Sequence, residues 1–273
     1  MNKESNLPKI SIITPSYNQA AFLERTIKSV LDQNYQNLEY IIIDGGSTDA
    51  SVDIIRKYES HLKYWVSEKD DGQSHAINKG LKIATGDWVA WQNSDDIYYP
   101  GAFEALKEAA NSNSKASLVV GNMNLIDEHD GFIWDLHFVK PSYNAMVAEG
   151  MVLSNQVAFW KRNVHDQIGF MDEALHLGFD FDWFLRLTKV TQGVNVNQCL
   201  GAFRIHSQAK TQRMTAENSK IHQQVRKRHA AFMPKWRAIL YKVKRFYLLL
   251  AQGDLSYVFR GLLRRMNKTE NVY

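Results

Sequence analysis

Short apolar runs alternate with helical patterns along the first half of the chain. Residues 9–14, 40–43, 62–66 and 88–91 are compact apolar runs that predict strands, and Leu23, Ile27, Val30 and Leu31 repeat at the spacing of one helix face. This alternation predicts an α/β fold with a mostly parallel central sheet flanked by helices. Ligands bind such sheets at the carboxyl ends of the strands.

The second half of the chain is less regular. Residues 117–164 hold β-like pieces joined by polar loops, and a helix is predicted over residues 179–190. Residues 193–205 predict a final pair of strands.

Charge is divided unevenly along the chain. The net charge is +4, but residues 217–273 carry 13 Lys and Arg against 3 Asp and Glu, so this segment has a net charge of +10 and the remainder −6. The basic segment is almost continuously helical, with interruptions at 232–234 and 253–254, and residues 235–250 form a basic amphipathic pattern. We therefore expect one domain over residues 1–216 and a basic helical extension over residues 217–273.

Composition bears on where the protein works. Apolar residues make up 45% of the chain, which is enough for a substantial core, and Cys199 is the only cysteine, which excludes an intrachain disulfide and favours a reducing compartment. The N-terminus lacks the apolar run of a signal peptide, and no stretch approaches the roughly 20 apolar residues of a membrane span. The expected location is the cytoplasm, either free or at the inner face of the plasma membrane.

Carboxylates gather at predicted strand ends and at one helix start. They are Asp44, the pair Asp70 and Asp71, the pair Asp95 and Asp96, and the pair Asp180 and Asp182. A single carboxylate in such a place often caps a turn. Several on one rim repel each other unless a cation compensates, and oxygen ligands of this kind suit Mg²⁺ or Mn²⁺.

Three segments resemble family 2 glycosyltransferases, in the family's order and spacing. They are ISIITPSYNQAAFLERTIKSVLDQNYQNLEYIIIDGGSTDAS, WVAWQNSDDIYYPGAFEAL and FDFDWFLRL. The resemblance implies a GT-A fold, a divalent metal cofactor, and inverting transfer of a sugar from a nucleotide diphosphate sugar, most commonly a UDP-linked hexose. The implied acceptor is a hydroxyl of a glycan or of a lipid-linked molecule in surface polysaccharide synthesis.

The resemblance also implies a set of nucleotide contacts. These residues follow the first two strands, lie in the turn and helix after the third strand, or follow the fourth strand: Thr14, Pro15, Tyr17, Asp44, Asp71, Asn78, Lys79, Asn93 and Ser94. Asn93 stands where the family's DxD motif has its first Asp, so this position supplies an amide and no charge.

The metal and the diphosphate have implied contacts of their own. Asp95 is the implied metal ligand, with Asp96 beside it and His206 after the last strand as further candidates. Arg204 and Lys210 are candidates for neutralising the diphosphate, although each is equally well interpreted as a solvated cation.

The third segment implies the catalytic residue. Asp180 aligns with the family's general base, which accepts the proton of the attacking hydroxyl. Asp182 is the second choice or a partner of Arg186, because residues two apart on a helix point in different directions.

The basic extension predicts a membrane-surface element. Its cations would meet anionic lipid while Trp236, Phe246, Tyr247 and residues 248–250 enter the interface. The alternative is packing on the body of the protein or on a second subunit, which would make a homodimer. Nucleic acid is not an expected partner, because the body is acidic and carries no nucleic-acid-binding motif.

Two other functions stay open. A nucleotide-sugar-binding protein without transferase activity is favoured only by Asn93, and the retained Asp95, Asp96 and Asp180 oppose it. A metal-dependent nucleotidyltransferase or hydrolase would need a basic glycine-rich loop near the N-terminus, which ITPSYNQ is not. A dinucleotide dehydrogenase is excluded, because no GxGxxG motif follows the first strand.

Overall fold

The computed structural model of the chain describes residues 7–207 and 215–266. Its first half contains the four predicted strands, β1 (Ile10–Ser16), β2 (Leu38–Asp44), β3 (Tyr64–Ser67) and β4 (Trp88–Trp91). They run parallel in the order β3-β2-β1-β4. The connecting helices are α1 (Ala20–Leu31), α2 (Ser51–Lys57) and α3 (Gln73–Ile83), with a 3₁₀ turn at Glu59–His61.

The second half extends the same sheet with strands of both directions. They are β5 (Ile97–Tyr98), β6 (Leu118–Ile126), β7 (Phe132–Leu136), β8 (Ala158–Lys161) and β9 (Gly193–Arg204). The order is β3-β2-β1-β4-β8-β6-β9-β5, with β7 also paired to β6. Only β6 and β9 are parallel here, and the other new pairs are antiparallel.

The α/β class is confirmed, and the sheet is mixed, its parallel part being mainly the first four strands. A short turn joins β6 to β7, and parallel strands would need a long crossover instead. The predicted final pair of strands is wrong, since β9 is one strand of 12 residues. Its register with β6 shifts on either side of Asn122, and near its end it also pairs with β5.

Aromatic packing fixes the helix that carries the predicted base. The helices of this half are α4 (Ala102–Ser112), α5 (Tyr143–Glu149), α6 (His165–Ile168) and α7 (Phe179–Val190), with 3₁₀ turns at Asn155–Val157 and Arg162–Val164. Trp91 of β4 stacks on Phe184 of α7 with ring centroids 5.4 Å apart, and Trp160 of β8 lies 5.9 Å from Trp183 of α7. Helix α7 is therefore held on the sheet next to the end of β4.

A buried carboxylate connects several segments at the amino ends of the strands. Glu39 of β2 accepts hydrogen bonds from Lys9 Nζ at 2.6 Å, from Ser11 Oγ at 2.7 Å, and from the Thr85 backbone N–H and hydroxyl, both at 2.7 Å. Burial acts to raise the pKa of Glu39, but these hydrogen bonds outweigh it and lower the pKa to about 2.

The C-terminal segment forms three helices, α8 (Thr215–Arg228), α9 (Lys235–Ala251) and α10 (Leu255–Met266). The predicted interruptions are confirmed, since Pro234 precedes α9 and Gly253 takes a φ of 87° between α9 and α10. Helix α8 packs on α7, and α9 packs on α5. Within the described residues, no helix is long and apolar enough to span a membrane.

Candidate active site

The carboxyl ends of β1, β2 and β3 bring polar side chains to one edge of the sheet. The strand register aligns Ser16, Asp44 and Ser67. The buried Asp44 carboxylate accepts hydrogen bonds from the backbone N–H groups of Gly46 and Ser47 at 3.1 and 2.8 Å, and from the hydroxyls of Ser47 and Ser67 at 2.5 and 2.6 Å. Asp44 therefore builds the turn after β2 and keeps little acceptor capacity for a bound base.

The segment at the end of β1 divides into a buried part and an exposed part. Thr14 is buried, with its hydroxyl 3.1 Å from the hydroxyl of Tyr40, and Pro15 is buried within the strand. Tyr17 is 59% exposed just beyond the strand. Of the three predicted residues, Tyr17 is the one whose side chain is open to a ligand.

The two carboxylates after β3 point in different directions. The side chain of Asp71 is 89% exposed, whereas Asp70 packs against the glycine turn after β2. A Cβ atom added at Gly45 would lie 2.6 Å from Asp70 Oδ2, so any other residue there would displace the Asp70 carboxylate. Sequence reasoning selected Asp71, but Asp70 is the carboxylate at the strand ends, and the pair Gly45-Gly46 was the available signal.

Asn78 and Lys79 stabilise the surroundings of the site. The Asn78 side chain accepts the Met171 N–H at 3.0 Å and donates to the Met171 carbonyl at 2.9 Å and to Glu173 at 2.7 Å. Lys79 pairs with Glu68. The bonds of Asn78 fix α3 to the segment at Met171 and oppose its predicted nucleotide contact, whereas the predicted contact of Lys79 stays a prediction.

Asn93 connects the segment after β4 to the start of α3. Its amide oxygen accepts a hydrogen bond from Gln73 Nε2 at 2.9 Å, and its amide nitrogen donates to Asp96 at 3.0 Å. Ser94 is buried beside it. Gly72, which precedes α3, has a φ of 115°, and a Cβ atom there would lie 3.8 Å from the ring of His176. The loop that leads to α7 thus borders the same edge as Asn93.

Asp95 and His206 come together as the sequence predicted. His206 Nε2 lies 3.0 Å from Asp95 Oδ2, and the Asp95 side chain is 20% exposed. Adjacent ligands of an octahedral Mg²⁺, each at about 2.1 Å, lie about 3.0 Å apart, so the pair fits two neighbouring ligand positions. The described residues include no group of three His, Cys, Asp or Glu side chains that could hold a metal. Phosphate and water oxygens commonly supply the remaining ligands of Mg²⁺.

Asp96 has a structural role, which corrects its prediction as a metal ligand. It is fully buried and accepts hydrogen bonds from Asn93, from Gln156 Nε2 at 2.7 Å and from the Arg204 backbone N–H at 2.8 Å. Burial, followed by the negative charge of Asp95, raises the pKa of Asp96 well above its usual value. Both oxygens are therefore occupied, and the carboxylate is screened from solvent.

Arg204 also has a structural role, which corrects its prediction as a residue that neutralises the diphosphate. Its guanidinium is fully buried, pairs with Asp130 at 2.5 Å and donates to the Asp95 carbonyl at 2.7 Å. A cation neutralised inside the protein is not free to bind a phosphate. Lys210, the second predicted cation, lies outside the described residues.

The two aspartates that begin α7 have different environments. Asp182 is buried between Arg186 Nε at 2.9 Å and His229 Nε2 at 2.6 Å, which confirms the predicted pairing with Arg186 and argues against a catalytic role. Asp180 is partly exposed, and its Oδ1 accepts the N–H of Phe181 at 2.8 Å. Asp180 is therefore the carboxylate of this pair that an acceptor can reach.

Helix α8 covers the start of α7 from the C-terminal segment. The ring of His222 lies 4.4 Å from that of Phe181, and Arg228 pairs with Asp172 at 2.5 Å. Burial lowers the pKa of His222, while the negative charge of Asp180 acts to raise it. This packing agrees with the alternative expectation for the basic extension, in which its helices lie against the body of the protein.

A family model for glycosyl transferase family 2 matches residues 11–172, more than half of the chain. The chain belongs to glycosyl transferase family 2. A Rickettsia typhi relative, an uncharacterized glycosyltransferase, is 28% identical over 222 residues, which cover 76% of this chain and 67% of the relative. For several other rickettsial relatives the matched region covers 36% of their length.

Solved structures share the fold. Staphylococcus aureus TarS 1–349 in complex with UDP-GlcNAc matches with a TM-score of 0.68 and 14% identity, over 89% of this chain and 73% of that chain. The Pyrobaculum calidifontis mannosyltransferase PcManGT, in complex with GDP-Man and Mn²⁺, matches with a TM-score of 0.55 and 15% identity, over 93% of this chain and 80% of that chain. The predicted GT-A fold is thereby confirmed.

Proposed function

We propose that this chain transfers a hexose from a UDP-linked sugar to a hydroxyl of a glycan or lipid-linked acceptor in surface polysaccharide synthesis, and the UDP-GlcNAc complex of TarS supports the choice of nucleotide. The observation that carries the proposal is the pair of Asp95 and His206 beside Asn93, with Asp180 on the helix next to that edge.

The proposed donor site runs along the strand ends. Tyr17 and Asp70 border the nucleoside, and Asn93 and Ser94 lie next to the diphosphate. Asp95 and His206 would hold Mg²⁺ or Mn²⁺, which when bound supplies positive charge to the diphosphate leaving group. The Mn²⁺ in the PcManGT complex supports the choice of metal.

The proposed chemistry is a single displacement. Asp180 accepts the proton of the acceptor hydroxyl as that oxygen attacks the anomeric carbon, and the configuration inverts. A positioned general base contributes about 10²- to 10⁴-fold to the rate. Helix α7 holds Asp180 in place through its aromatic contacts with the sheet and through the buried pairs of Asp182.

Calorimetry of UDP, GDP and dTDP with and without Mn²⁺ tests the donor site. The expected result is metal-dependent UDP binding that Asp95→Ala loses and that Asp53→Ala, an exposed residue of α2, retains. Asp70→Ala should weaken UDP binding more than Asp71→Ala does. If no nucleotide binds, the donor-site assignment fails. If UDP binds but no acceptor is glycosylated, the chain is a nucleotide-sugar-binding protein without transferase activity, the function that Asn93 favours.

The C-terminal helices support a location at the inner face of the plasma membrane. Helix α9 exposes one apolar stripe, and cations flank it: the stripe is Trp236, Ile239, Leu240, Val243, Phe246 and Tyr247. A stripe of this composition lies in a lipid interface with its cations at the headgroups. Leu249, which the sequence placed in the interface, is instead buried against the protein.

A further inference from the structure

A cleft separates α9 from α10 beside the end of α5. Its volume is ≈ 610 Å³, within the range of roughly 300 to 1,000 Å³ that small-molecule sites occupy. Phe246 and Leu249 of α9 face Val258 and Leu262 of α10 across it. The walls are therefore mainly hydrocarbon.

Specific contacts hold the two helices on either side of the cleft. Arg245 of α9 pairs with Glu149 of α5 at 2.9 Å. Tyr257 of α10 stacks on His137 with ring centroids 4.4 Å apart, and Arg260 lies 5.7 Å from the ring of Trp134. The cleft is thus built by anchored helices and does not result from a loose end of the chain.

A glycine keeps the cleft open. Gly261 lines it in the interior of α10, and a Cβ atom added there would meet no atom within 4 Å. Glycine is a poor helix former, so it destabilises the interior of α10. A ligand that occupies the space left by the missing side chain would offset this cost. A larger residue at this position would occupy part of the cleft without straining the helix.

The charges at the cleft favour an anion. Lys242 is exposed at the cleft and makes no ion pair with another described residue, and Arg245 and Glu149 neutralise each other. The cleft therefore has a net charge of +1. Phe246 and Leu262 line the cleft and are also 45% and 46% exposed, so the cleft continues into the exposed apolar stripe of α9.

We propose that this cleft binds one anionic phospholipid molecule, with a hydrocarbon chain between Phe246 and Leu262 and the phosphate at Lys242. The inference rests on the proposed membrane location. It adds a site for one lipid molecule to a surface that otherwise contacts many lipids of the membrane at once. The free charge of Lys242 and the continuity of the cleft with the apolar stripe identify the occupant.

Binding of a monomeric short-chain phosphatidylglycerol to the full chain tests the proposal by calorimetry, below the concentration at which the lipid forms micelles. Saturable binding of one lipid per chain is expected, about fivefold weaker for the phosphatidylcholine analogue, because one Lys contributes about 1 kcal/mol next to an anionic headgroup. Gly261→Leu should lose this binding, and Ser256→Leu, on an exposed position of α10, should retain it. Thermal unfolding of both variants establishes that α10 remains folded.

Vesicle binding separates this site from the rest of the proposed function. Gly261→Leu should still sediment with anionic vesicles, because the apolar stripe of α9 is intact. Absence of saturable lipid binding, or equal binding by Gly261→Leu and the wild type, would overturn the proposal. A lipid-independent dimer that Gly261→Leu disrupts would overturn it as well, by showing that a second copy fills the cleft. Failure of sugar transfer with retained lipid binding would refute the catalytic assignment alone.

Discussion

The exposed stripe of α9 leads to a quantitative prediction for Val243→Glu. Six apolar side chains of the stripe are 45% to 67% exposed, so each has about half of its surface left to bury. Full burial of such a side chain contributes about 1.5 to 3 kcal/mol, and half of that is about 1 kcal/mol for each residue. In the proposed membrane contact the stripe would therefore contribute about 6 kcal/mol, before the cost of ordering is subtracted.

The cations beside the stripe add an electrostatic part. Lys235, Lys242 and Lys244 are exposed, and each contributes about 1 kcal/mol near an anionic surface. Val243 lies at the centre of the stripe and is 58% exposed, so Val243→Glu leaves the protein core untouched. The change removes about 1 kcal/mol of burial and places a carboxylate against lipid, for a total loss of about 2 to 3 kcal/mol. This loss corresponds to about 30- to 150-fold weaker binding.

Sedimentation with vesicles of phosphatidylglycerol and phosphatidylcholine measures this effect at low and high salt. Gln223→Glu, an exposed position of α8, makes the same change of charge outside the stripe and serves as the control. Binding of the wild type should weaken with salt, because its electrostatic part is screened. The reasoning fails if the wild type does not bind anionic vesicles at low salt, or if Val243→Glu binds as tightly as Gln223→Glu.

Three further predictions concern catalysis and stability. Asp180→Asn should lower kcat by about 10²- to 10⁴-fold, with UDP affinity by calorimetry unchanged. His229→Ala removes a charged hydrogen bond from Asp182, so urea denaturation should show a loss of about 1.5 to 3 kcal/mol and assays a lower kcat with unchanged UDP affinity. Glu39→Gln should cost about 3 kcal/mol at pH 7, because the pKa of Glu39 is about 2 in the folded chain and 4.5 unperturbed. That stability is present above pH 4.5 and disappears as the pH falls towards 2, so urea denaturation of variant and wild type should converge there.

The parallel half of the sheet was predictable because its strands and helices are identified by patterns within short stretches of sequence. Apolar runs of strand length and the helix spacing of α1 identify the elements, and parallel strands bring their carboxyl ends to one edge. The resemblance to the family implied one metal site for Asp95 and His206, and the structure brings the two together although 111 residues separate them. The mixed half was not predictable in this way, because β8 and β9 are positioned by partners distant in the sequence.

Neighbouring carboxylates show where sequence reasoning stops. Asp95 is partly open and Asp96 is fully buried, and the sequence gives the two residues the same chemistry. What separates them is the set of donors that Asp96 meets, above all Gln156 and the backbone of Arg204, which lie 60 and 108 residues away. The same holds for Asp182, whose partner His229 belongs to the C-terminal segment. A carboxylate's role therefore depends on long-range packing that a motif does not encode.

The packing of α8 changes how the C-terminal segment relates to catalysis. Val225 of α8 is buried, and His229, which follows α8, donates a hydrogen bond to Asp182 on the helix that carries Asp180. Helix α9, with the proposed membrane stripe, begins six residues after His229. A boundary at residue 216 would therefore remove the hydrogen-bond partner of the buried Asp182 from helix α7, at a cost of about 1.5 to 3 kcal/mol. It follows that a chain ending at residue 216 should lose sugar transfer in detergent-free solution. Because this assay contains no membrane, the loss could not be attributed to missing membrane attachment.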